Sequence, residues 1–361
     1  MSATRENTAA PLVGAEQIEL LERLSNAVAV SGDEGAVRRI VLEAVRPLAD
    51  EVVVDAMGSV LATFRASRPN APRVMLAAHM DEVGFMIVKD DGDGLYQFET
   101  VGGLDPAQLP GKPVLVGKDN LPGVIGATAI HLTTREEREQ KIPVRQLRID
   151  LGPEGAGKVK PGDRAGFATR FKVAGPSLVG KALDDRLGVA TLIELAKNPP
   201  RNVELQLAFT VQEEVGLRGA RAAAYRLQPD LALAIDSTPA FDLPTWDDEE
   251  NTQYNTRLGE GPAIYLADRG TLSDPRLTAH LAAAARRNNI PFQYRQPGGG
   301  GTDAAAIHRT RAGVPSASIS VPGRYAHSAV MVARLDDWSN TLALVRAALE
   351  ELPDDLLGSE R

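Results

Sequence analysis

Residues 205–227, LQLAFTVQEEVGLRGARAAAYRL, decide the fold of this chain. An apolar, β-prone run over residues 205–211 is followed by two glycines and a helical pattern, which predicts a buried parallel strand, a turn and a helix. Glu213 and Glu214 then stand at the carboxyl end of the strand, where open α/β sheets bind ligands. Two glutamates in a turn can also be ordinary solvated surface residues, so the functional interpretation depends on other residues.

The composition limits the kinds of binding and catalytic site that the chain can contain. The chain has 361 residues, 40 basic against 48 acidic, and no cysteine. A formal net charge of −8 gives no reason to expect nucleic acid or an anionic membrane as partner. Without cysteine, disulfides, thiolate catalysis and cysteine-ligated zinc are excluded. Any metal site must therefore use histidines and carboxylates. No stretch is long and apolar enough for a membrane span, and we expect a cytoplasmic protein.

The pattern of elements predicts two domains. Helices and apolar strands alternate at both ends of the chain, which favours a mixed sheet with helices on both faces. Residues 85–170 instead carry short β-prone runs broken by Gly, Pro and Asp-Gly turns, without a convincing helix, and predict an inserted small β-barrel or β-sandwich. We therefore assign residues 13–84 and 171–361 to an α/β domain, 85–170 to the insertion, and the polar residues 1–12 to a disordered tail.

Acidic and imidazole groups recur at the predicted strand ends. His79 ends one apolar run, and Asp81, two residues on, shares its face and can accept the second imidazole proton. A lone histidine ending a strand is more often structural. Here, however, six such groups fall on five segments: His79, Asp184, Glu213, Glu214, Asp236 and His327. So many acidic groups in one crevice would repel one another, and a divalent metal removes that objection.

The donor set suits Zn²⁺ or Co²⁺, with Mn²⁺ as a further option. The number of donors exceeds one tetrahedral site, and a carboxylate can bridge two ions. One of the two glutamates can then coordinate while its neighbour faces the substrate. The remaining histidines lack acids at ligand spacing and are interpreted as structural: His131 in a strand of the insertion, His280 on a helix face and His308 in a helix.

Seven collinear segments carry a resemblance to a known family. They are AAHMDEVGFM, GKALDDRLG, TVQEEVGLRGA, AIDST, RLGEGPAI, GGGGTDAAAI and GRYAHS, spread between residues 17 and 352. Together they resemble the tetrahedral, or glutamyl, aminopeptidase family of dinuclear metallopeptidases, whose members are often labelled endoglucanases. The resemblance implies an α/β catalytic domain, two divalent metal ions per subunit, a β-rich insertion used in dimerisation, and a homo-oligomer, most often a dodecamer built from dimers.

The resemblance also implies roles for individual residues. The family's metal ligands correspond to His79 and Glu214 and to Asp236 and His327, with Asp184 as the bridge. Its general base corresponds to Glu213, and Asp81 supports His79. Thr302 and Asp303 fall in the substrate-side loop, although a plain turn with Thr302 as a helix cap is equally compatible. The family commonly continues its last histidine with Ser, Pro and then Glu, whereas this chain has Ala329 and Met331, so the residues around that ligand depart from the family pattern.

The implied activity is the removal of N-terminal residues from peptides by a metal-dependent aminopeptidase. Two alternatives stay open at this point. A glycoside hydrolase needs two carboxyl groups across a sugar and has no use for the two histidines. A non-catalytic, self-assembling homologue would be expected to have lost at least one of the six groups. The preferred N-terminal side chain and the native metal do not follow from the sequence.

Overall fold

The structure of the chain is a computed structural model. It describes residues 12–358 except 248, 250, 253, 254, 297 and 298, and only the backbone of 137 and 138. The predicted tail, residues 1–12, lies outside the described residues except for Leu12, which is exposed. In the described part of the chain, no helix has the length and apolar character needed to cross a membrane.

Strands and helices are numbered in chain order. The strands are β1 Glu51–Val54, β2 Val60–Phe64, β3 Arg73–His79, β4 Gly84–Gly92, β5 Leu95–Val101, β6 Pro113–Val116, β7 Leu121–Gly126, β8 Arg148–Asp150, β9 Arg164–Phe167, β10 Lys172–Ala174, β11 Ser177–Gly180, β12 Glu204–Thr210, β13 Leu231–Pro239, β14 Ala263–Ile264, β15 Gln293–Tyr294, β16 Ser316–Arg324 and β17 Met331–Arg334. The helices are α1 Ala15–Asn26, α2 Gly35–Val45, α3 Arg135–Glu139, α4 Leu183–Lys197, α5 Arg218–Leu227, α6 Pro275–Arg287, α7 Ala304–Ile307 and α8 Leu335–Glu350.

The large sheet has a parallel centre and antiparallel edges. Its strand order is β1-β2-β12-β3-β13-β16-β17-β11-β10, with β14 and β15 attached beside β16. The four central strands, β12, β3, β13 and β16, run parallel to one another, so that Thr210 pairs with His79 and Asp236 with Ser320. Their carboxyl ends therefore open on one edge of the sheet, where the candidate groups were predicted.

The opening stretch folds as the predicted strand, turn and helix. Strand β12 is buried between β2 and β3, and α5 follows after a short turn. Gly219, in the first turn of α5, packs directly on the end of the strand: an added Cβ would lie 2.5 Å from the Val211 carbonyl oxygen. Only glycine allows so close a contact, and this packing holds the glutamate turn against the sheet.

Helices cover both faces of the large sheet, as the alternation predicted. On one face, α1, α2, α4, α6 and α8 form the main hydrophobic core with the sheet. On the other face, α5 and α7 build a smaller core, in which Ala220, Ala224 and Ile307 pack with Met75 and Ala77 of β3. The predicted mixed α/β architecture is confirmed.

The chain between β3 and β10 forms a closed barrel. Six antiparallel strands follow the order β4-β5-β8-β7-β6-β9, and the rings of Phe98 and Phe167 pack edge-on against Phe85 at 5.1 and 5.2 Å. The prediction of a small β-barrel is confirmed. The expectation of no helix was wrong, because α3 lies within this segment. His131 occupies an exposed 3-10 turn, not a strand, because β7 ends at Gly126.

Candidate metal centre

The four central strands bring the predicted groups together at their carboxyl ends. His79 ends β3 and Asp236 lies on β13. The glutamate turn follows β12, and His327 follows β16. Because these strands are parallel neighbours, residues distant in sequence meet at one edge. Asp184 reaches the same place from the start of α4, where its own backbone is not helical.

Asp184 lies between the two imidazoles and directs one carboxylate oxygen to each. Its Oδ1 is 3.2 Å from His79 Nε2, and its Oδ2 is 3.5 Å from His327 Nε2. Each imidazole has a second carboxylate beside it: Asp236 Oδ1 is 3.7 Å from His79 Nε2, and Glu214 Oε2 is 3.4 Å from His327 Nε2. The cluster thus divides into two halves that share Asp184.

We call His79 with Asp236 the inner half and His327 with Glu214 the outer half. The resemblance implied a different pairing, in which His79 lies beside Glu214 and Asp236 lies beside His327. The donor atoms of His79, Asp184 and Glu214 nonetheless lie within 4.8 Å of one another, so the two halves are contiguous. By nearest-neighbour distance, each imidazole lies against a different acid.

The electrostatics of the cluster fit divalent cations. Burial raises the pKa of Glu214 to about 8, and also raises that of Asp236. Burial would raise the pKa of Asp184 as well, but hydrogen bonds from His327 and His79 outweigh it and hold that pKa below its usual value. The hydrogen bond to Asp184 raises the pKa of His327 to about 10. Buried carboxylates that outnumber the imidazoles call for positive charge, and imidazole with carboxylate oxygen is a donor set that Zn²⁺ and Co²⁺ accept.

The groups open into a cleft of about 400 Å³. Glu213 lines its wall together with His79, Asp184, Asp236 and His327, whereas Glu214 does not. Burial raises the pKa of Glu213 well above the usual value. The turn that carries both glutamates begins at Gln212, which has a positive φ of 56°. Glu214 stands beside the His327 imidazole, and its neighbour Glu213 faces the cleft.

Comparison with known proteins assigns the chain to a family. The family description M42 glutamyl aminopeptidase matches residues 58–344, most of the chain. The chain belongs to the M42 glutamyl aminopeptidase family. It is 33% identical to the lysyl aminopeptidase of Pyrococcus furiosus, over 92% of this chain and 97% of that protein. It is 32% identical to the glutamyl aminopeptidase of Lactococcus lactis, over 93% and 97% of the two chains. These two relatives are thus named for N-terminal side chains of opposite charge.

Solved peptidase structures share nearly the whole fold of this chain. An aminopeptidase from the archaeon Desulfurococcus kamchatkensis superposes with a TM-score of 0.89 at 34% identity, covering 95% of this chain and 96% of that one. The TET1 peptidase of Pyrococcus horikoshii superposes with a TM-score of 0.81 at 34% identity, covering 93% and 100%. That peptidase is described as assembling into a tetrahedron or a large octahedral shell.

In this M42 member, Asp81 supports the site in a different way from the one predicted. His79 Nδ1 lies 3.1 Å from the backbone oxygen of Asp81, whereas the carboxylate is 3.7 Å away. The Asp81 carboxylate instead accepts the backbone N–H groups of Glu213 at 3.0 Å and Glu214 at 3.2 Å, and the Ser31 hydroxyl at 2.6 Å. The backbone of residue 81 therefore orients the imidazole, and its side chain positions the glutamate turn.

The barrel contributes directly to the outer half. His327 Nδ1 lies 2.9 Å from the carbonyl oxygen of Gly103, which follows β5. Beyond His327, Ala329 is buried in the barrel core, where it packs with residues such as Phe85. Ala329, which stands where the family commonly has Pro, thus contributes an apolar side chain to the barrel core. Met331 is buried in the core of the α/β domain.

Thr302 and Asp303 are both nearly fully buried, at 1% and 2% exposure, and the cleft wall contains neither. The Thr302 hydroxyl accepts the N–H of Ala304 at 3.2 Å and pairs with the Ser318 hydroxyl at 2.7 Å. Asp303 accepts the Thr210 hydroxyl at 2.5 Å. Thr302 therefore binds the first N–H of α7 from one residue before the N-cap, Asp303, and glycines 299–301 line the cleft in place of the two predicted residues.

Two features of the site were not predicted. The carboxylate of Asp185, fully buried, accepts the backbone N–H of His79 at 3.2 Å and that of Gly188 at 2.9 Å. The acidic doublet at the start of α4 is the signal that could have identified it. Arg295 is a cation on the cleft wall, in contact with Tyr265. A lone arginine in the sequence gives no signal of such a position.

Proposed function

We propose that this chain is a metal-dependent aminopeptidase that uses two divalent ions to remove N-terminal residues from peptides. Zn²⁺ or Co²⁺ is the preferred metal, and Mn²⁺ is the further option. The observation that carries the proposal is Asp184, whose two oxygens face two different imidazoles. A shared carboxylate between two donor pairs is the arrangement of dinuclear hydrolases. His79 and Asp236 would hold one ion, and His327 and Glu214 the other.

Hydrogen bonds to the backbone orient both imidazoles for metal binding. Each Nδ1 faces a carbonyl oxygen, that of Asp81 for His79 and that of Gly103 for His327, so each Nδ1 carries the proton. The lone pair of each Nε2 then faces the carboxylate cluster, as ligation requires. Divalent ions held there supply Lewis acidity towards the scissile carbonyl and make water a better nucleophile.

Glu213 is the proposed general base. It stands on the cleft wall, while Glu214, next to it in sequence, lies beside His327. Glu213 would take a proton from the attacking water and deliver it to the leaving amine as the tetrahedral adduct collapses. The Asp81 carboxylate holds the backbone on which both glutamates sit, so that this division between base and ligand is preserved.

The test of the base is Glu213→Gln compared with Glu214→Gln. We expect Glu213→Gln to keep its metal content and to lower kcat by about 10²–10⁴-fold, the usual contribution of a general base. Glu214→Gln should lose metal from the outer half. The measurements are elemental analysis after dialysis and kcat on aminoacyl anilides. Equal metal loss in the two variants would contradict the assignment, and chelator-resistant cellulase activity would favour the glycoside hydrolase instead.

We further propose that the barrel pairs subunits and that the protein forms a large homo-oligomer, most simply of twelve subunits. The family relatives support it, as do exposed apolar residues on the barrel segment: Ile130 is 69% and Leu132 71% exposed. Deleting the barrel would be a poor test, because Gly103 also orients His327. The variant Ile130→Ser/Leu132→Ser leaves that contact intact.

Light scattering decides the assembly. The intact, metal-loaded chain should show a mass many times that of the 38.5 kDa subunit. The double serine variant should shift towards smaller species, since a specific interface depends on its buried apolar anchors. Substituting the exposed Leu48, outside the barrel, by Ser is the matched control and should leave the mass unchanged. A strictly monomeric mass for the intact chain at micromolar concentration would contradict this proposal and leave the metal chemistry standing.

A further inference from the structure

Arg295 is the cationic group at the far wall of the cleft. Among the described residues that line this cavity, it is the one lysine or arginine; the acids Asp184, Glu213 and Asp236 belong to the metal centre. Arg295 is nearly fully buried, with 5% of the residue exposed. Its Cζ lies 4.7 Å from the centre of the Tyr265 ring, which holds the guanidinium by a cation–π contact.

The hydrogen bonds of Arg295 leave part of the guanidinium without an acceptor. Nε donates to the Thr238 hydroxyl at 3.2 Å, and Nη2 donates to the Gly299 carbonyl at 2.5 Å. Nη1 is buried and has no hydrogen-bond partner among the described residues. A buried charged donor without an acceptor is costly, and the group that best satisfies a guanidinium is a carboxylate. No carboxylate of the described chain forms an ion pair with it.

The position of Arg295 suits the side chain of the residue to be removed. Thr238, which it contacts, lies two residues beyond Asp236 on β13, so the two share a face and are separated by about 6.5 Å along the strand. Arg295 and the proposed metal ligand Asp236 therefore line the same cleft from neighbouring positions. The adjacent loop leaves space, since an added Cβ at Gly299 or Gly300 would meet no atom within 4 Å.

We propose that Arg295 is a specificity-determining residue that binds the side-chain carboxylate of an acidic N-terminal residue, so that the cleft prefers glutamyl and aspartyl peptides. This proposal rests on the proposed aminopeptidase function. Membership of the family does not decide it, because relatives of nearly equal identity are named for lysyl and for glutamyl substrates. The absence of a carboxylate on the described cleft wall away from the metal centre argues against a basic side chain.

The kinetic test compares glutamyl, glutaminyl and leucyl p-nitroanilides on the metal-loaded chain. Glutamine matches glutamate in shape without its charge. We expect kcat/KM to favour the glutamyl over the glutaminyl substrate by about 10- to 100-fold, the range of a hydrogen bond to a charged group. Arg295→Gln should remove that preference while changing the glutaminyl value by less than about threefold. Arg295→Lys should restore part of it, because a lysine keeps the charge without the planar fork.

The matched control is Arg269→Gln. Arg269 is exposed, and its backbone N–H donates to the Gly300 carbonyl at 3.2 Å, so it shares the loop but not the cleft wall. It should leave the preference unchanged. An equal loss of kcat/KM on all three anilides in Arg295→Gln would mean that the residue supports the loop without binding the substrate side chain, and would overturn the proposal.

A second carboxylate source is the C-terminus of a dipeptide. Cleavage of leucyl-alanine and of leucyl-alanine amide distinguishes the two sources. If Arg295→Gln slows the free acid alone, and leaves the glutamyl anilide preference intact, the guanidinium binds the C-terminal carboxylate and the proposal is wrong. We expect both dipeptides to respond equally to the substitution.

Binding measurements separate this proposal from the proposed function. Calorimetry on the metal-loaded Glu213→Gln variant should show tighter binding of L-glutamate than of L-glutamine, and Arg295→Gln should abolish the difference. Equal binding of the two amino acids would overturn the role of Arg295 whatever the activity. Failure to cleave any anilide, with the binding difference intact, would instead contradict the aminopeptidase function alone.

Discussion

The two halves of the metal centre have the same donor types but are built in different ways. In the inner half, the His79 side chain is 3% exposed, and its Nδ1 faces a carbonyl only two residues away in sequence. In the outer half, the His327 side chain is 43% exposed, and its Nδ1 faces a carbonyl 224 residues away, in the barrel. The inner half is therefore formed by one strand and its turn, whereas the outer half requires two domains to meet.

This difference indicates where each half is vulnerable. A buried imidazole between carboxylates cannot be replaced by water without leaving acids unpaired in a region of low dielectric constant. An exposed imidazole can be replaced by water more readily, but its orientation depends on the packing of the barrel against the α/β domain. We expect the inner half to be sensitive to loss of its ligand and the outer half to be sensitive to displacement of its support.

The largest effect is expected where the two halves join. Asp184→Asn removes the carboxylate that both imidazoles face, so both ions should be lost and kcat/KM should fall by more than about 10³-fold, since the Lewis acid and the activated water disappear together. Elemental analysis after dialysis and anilide hydrolysis provide the measurements. Asp336→Asn, which removes an exposed partner of Arg334, is the control. Two metals per chain in purified Asp184→Asn would rule out the bridging role.

The next effect distinguishes the halves directly. His79→Ala removes a proposed ligand of the inner ion. Losing a residue that only hydrogen-bonds a ligand typically lowers metal affinity by about 10- to 100-fold, and we expect a larger loss here. It should also lower the melting temperature of the metal-free chain more than His327→Ala does, since its site is buried. His327→Ala should weaken mainly the outer ion. Metal titration followed by thermal unfolding measures both. Identical losses of both ions in the two variants would show that the halves do not act separately.

The smallest effect tests the contact between the domains. An added Cβ at Gly103 would lie 3.3 Å from His327 Nδ1, closer than most real contacts, so Gly103→Ala should displace the ring by a few tenths of an ångström. We expect the outer ion to bind about tenfold more weakly, with the inner ion unchanged. Gly126→Ala is the control in the same barrel, because its added Cβ has only an ordinary contact at 3.8 Å. An unchanged outer affinity in Gly103→Ala would mean that the barrel carbonyl has no part in the site.

The local parts of the fold and site could be predicted from the sequence. The apolar run before Glu213 and the glycines after Glu214 specify a strand, a turn and a helix, and Gly219 packs where only a glycine fits. Each of the six groups stands at the end of a predicted element, and the parallel strands bring those ends to one edge. The barrel was predicted from its short β-prone runs, although α3 and the turn at His131 were not.

Contacts between distant segments could be decided only by the tertiary structure. The carbonyls that orient the two imidazoles belong to the backbone, and a backbone oxygen has no signature in the sequence. The Asp81 carboxylate was expected to face His79, but the fold directs it to the glutamate turn, where two backbone N–H groups need an acceptor. The sequence by itself thus determined which residue types reach the edge of the sheet. Which of them pair, and that Arg295 faces the cleft across from them, was decided by the packing of segments that are far apart in the chain.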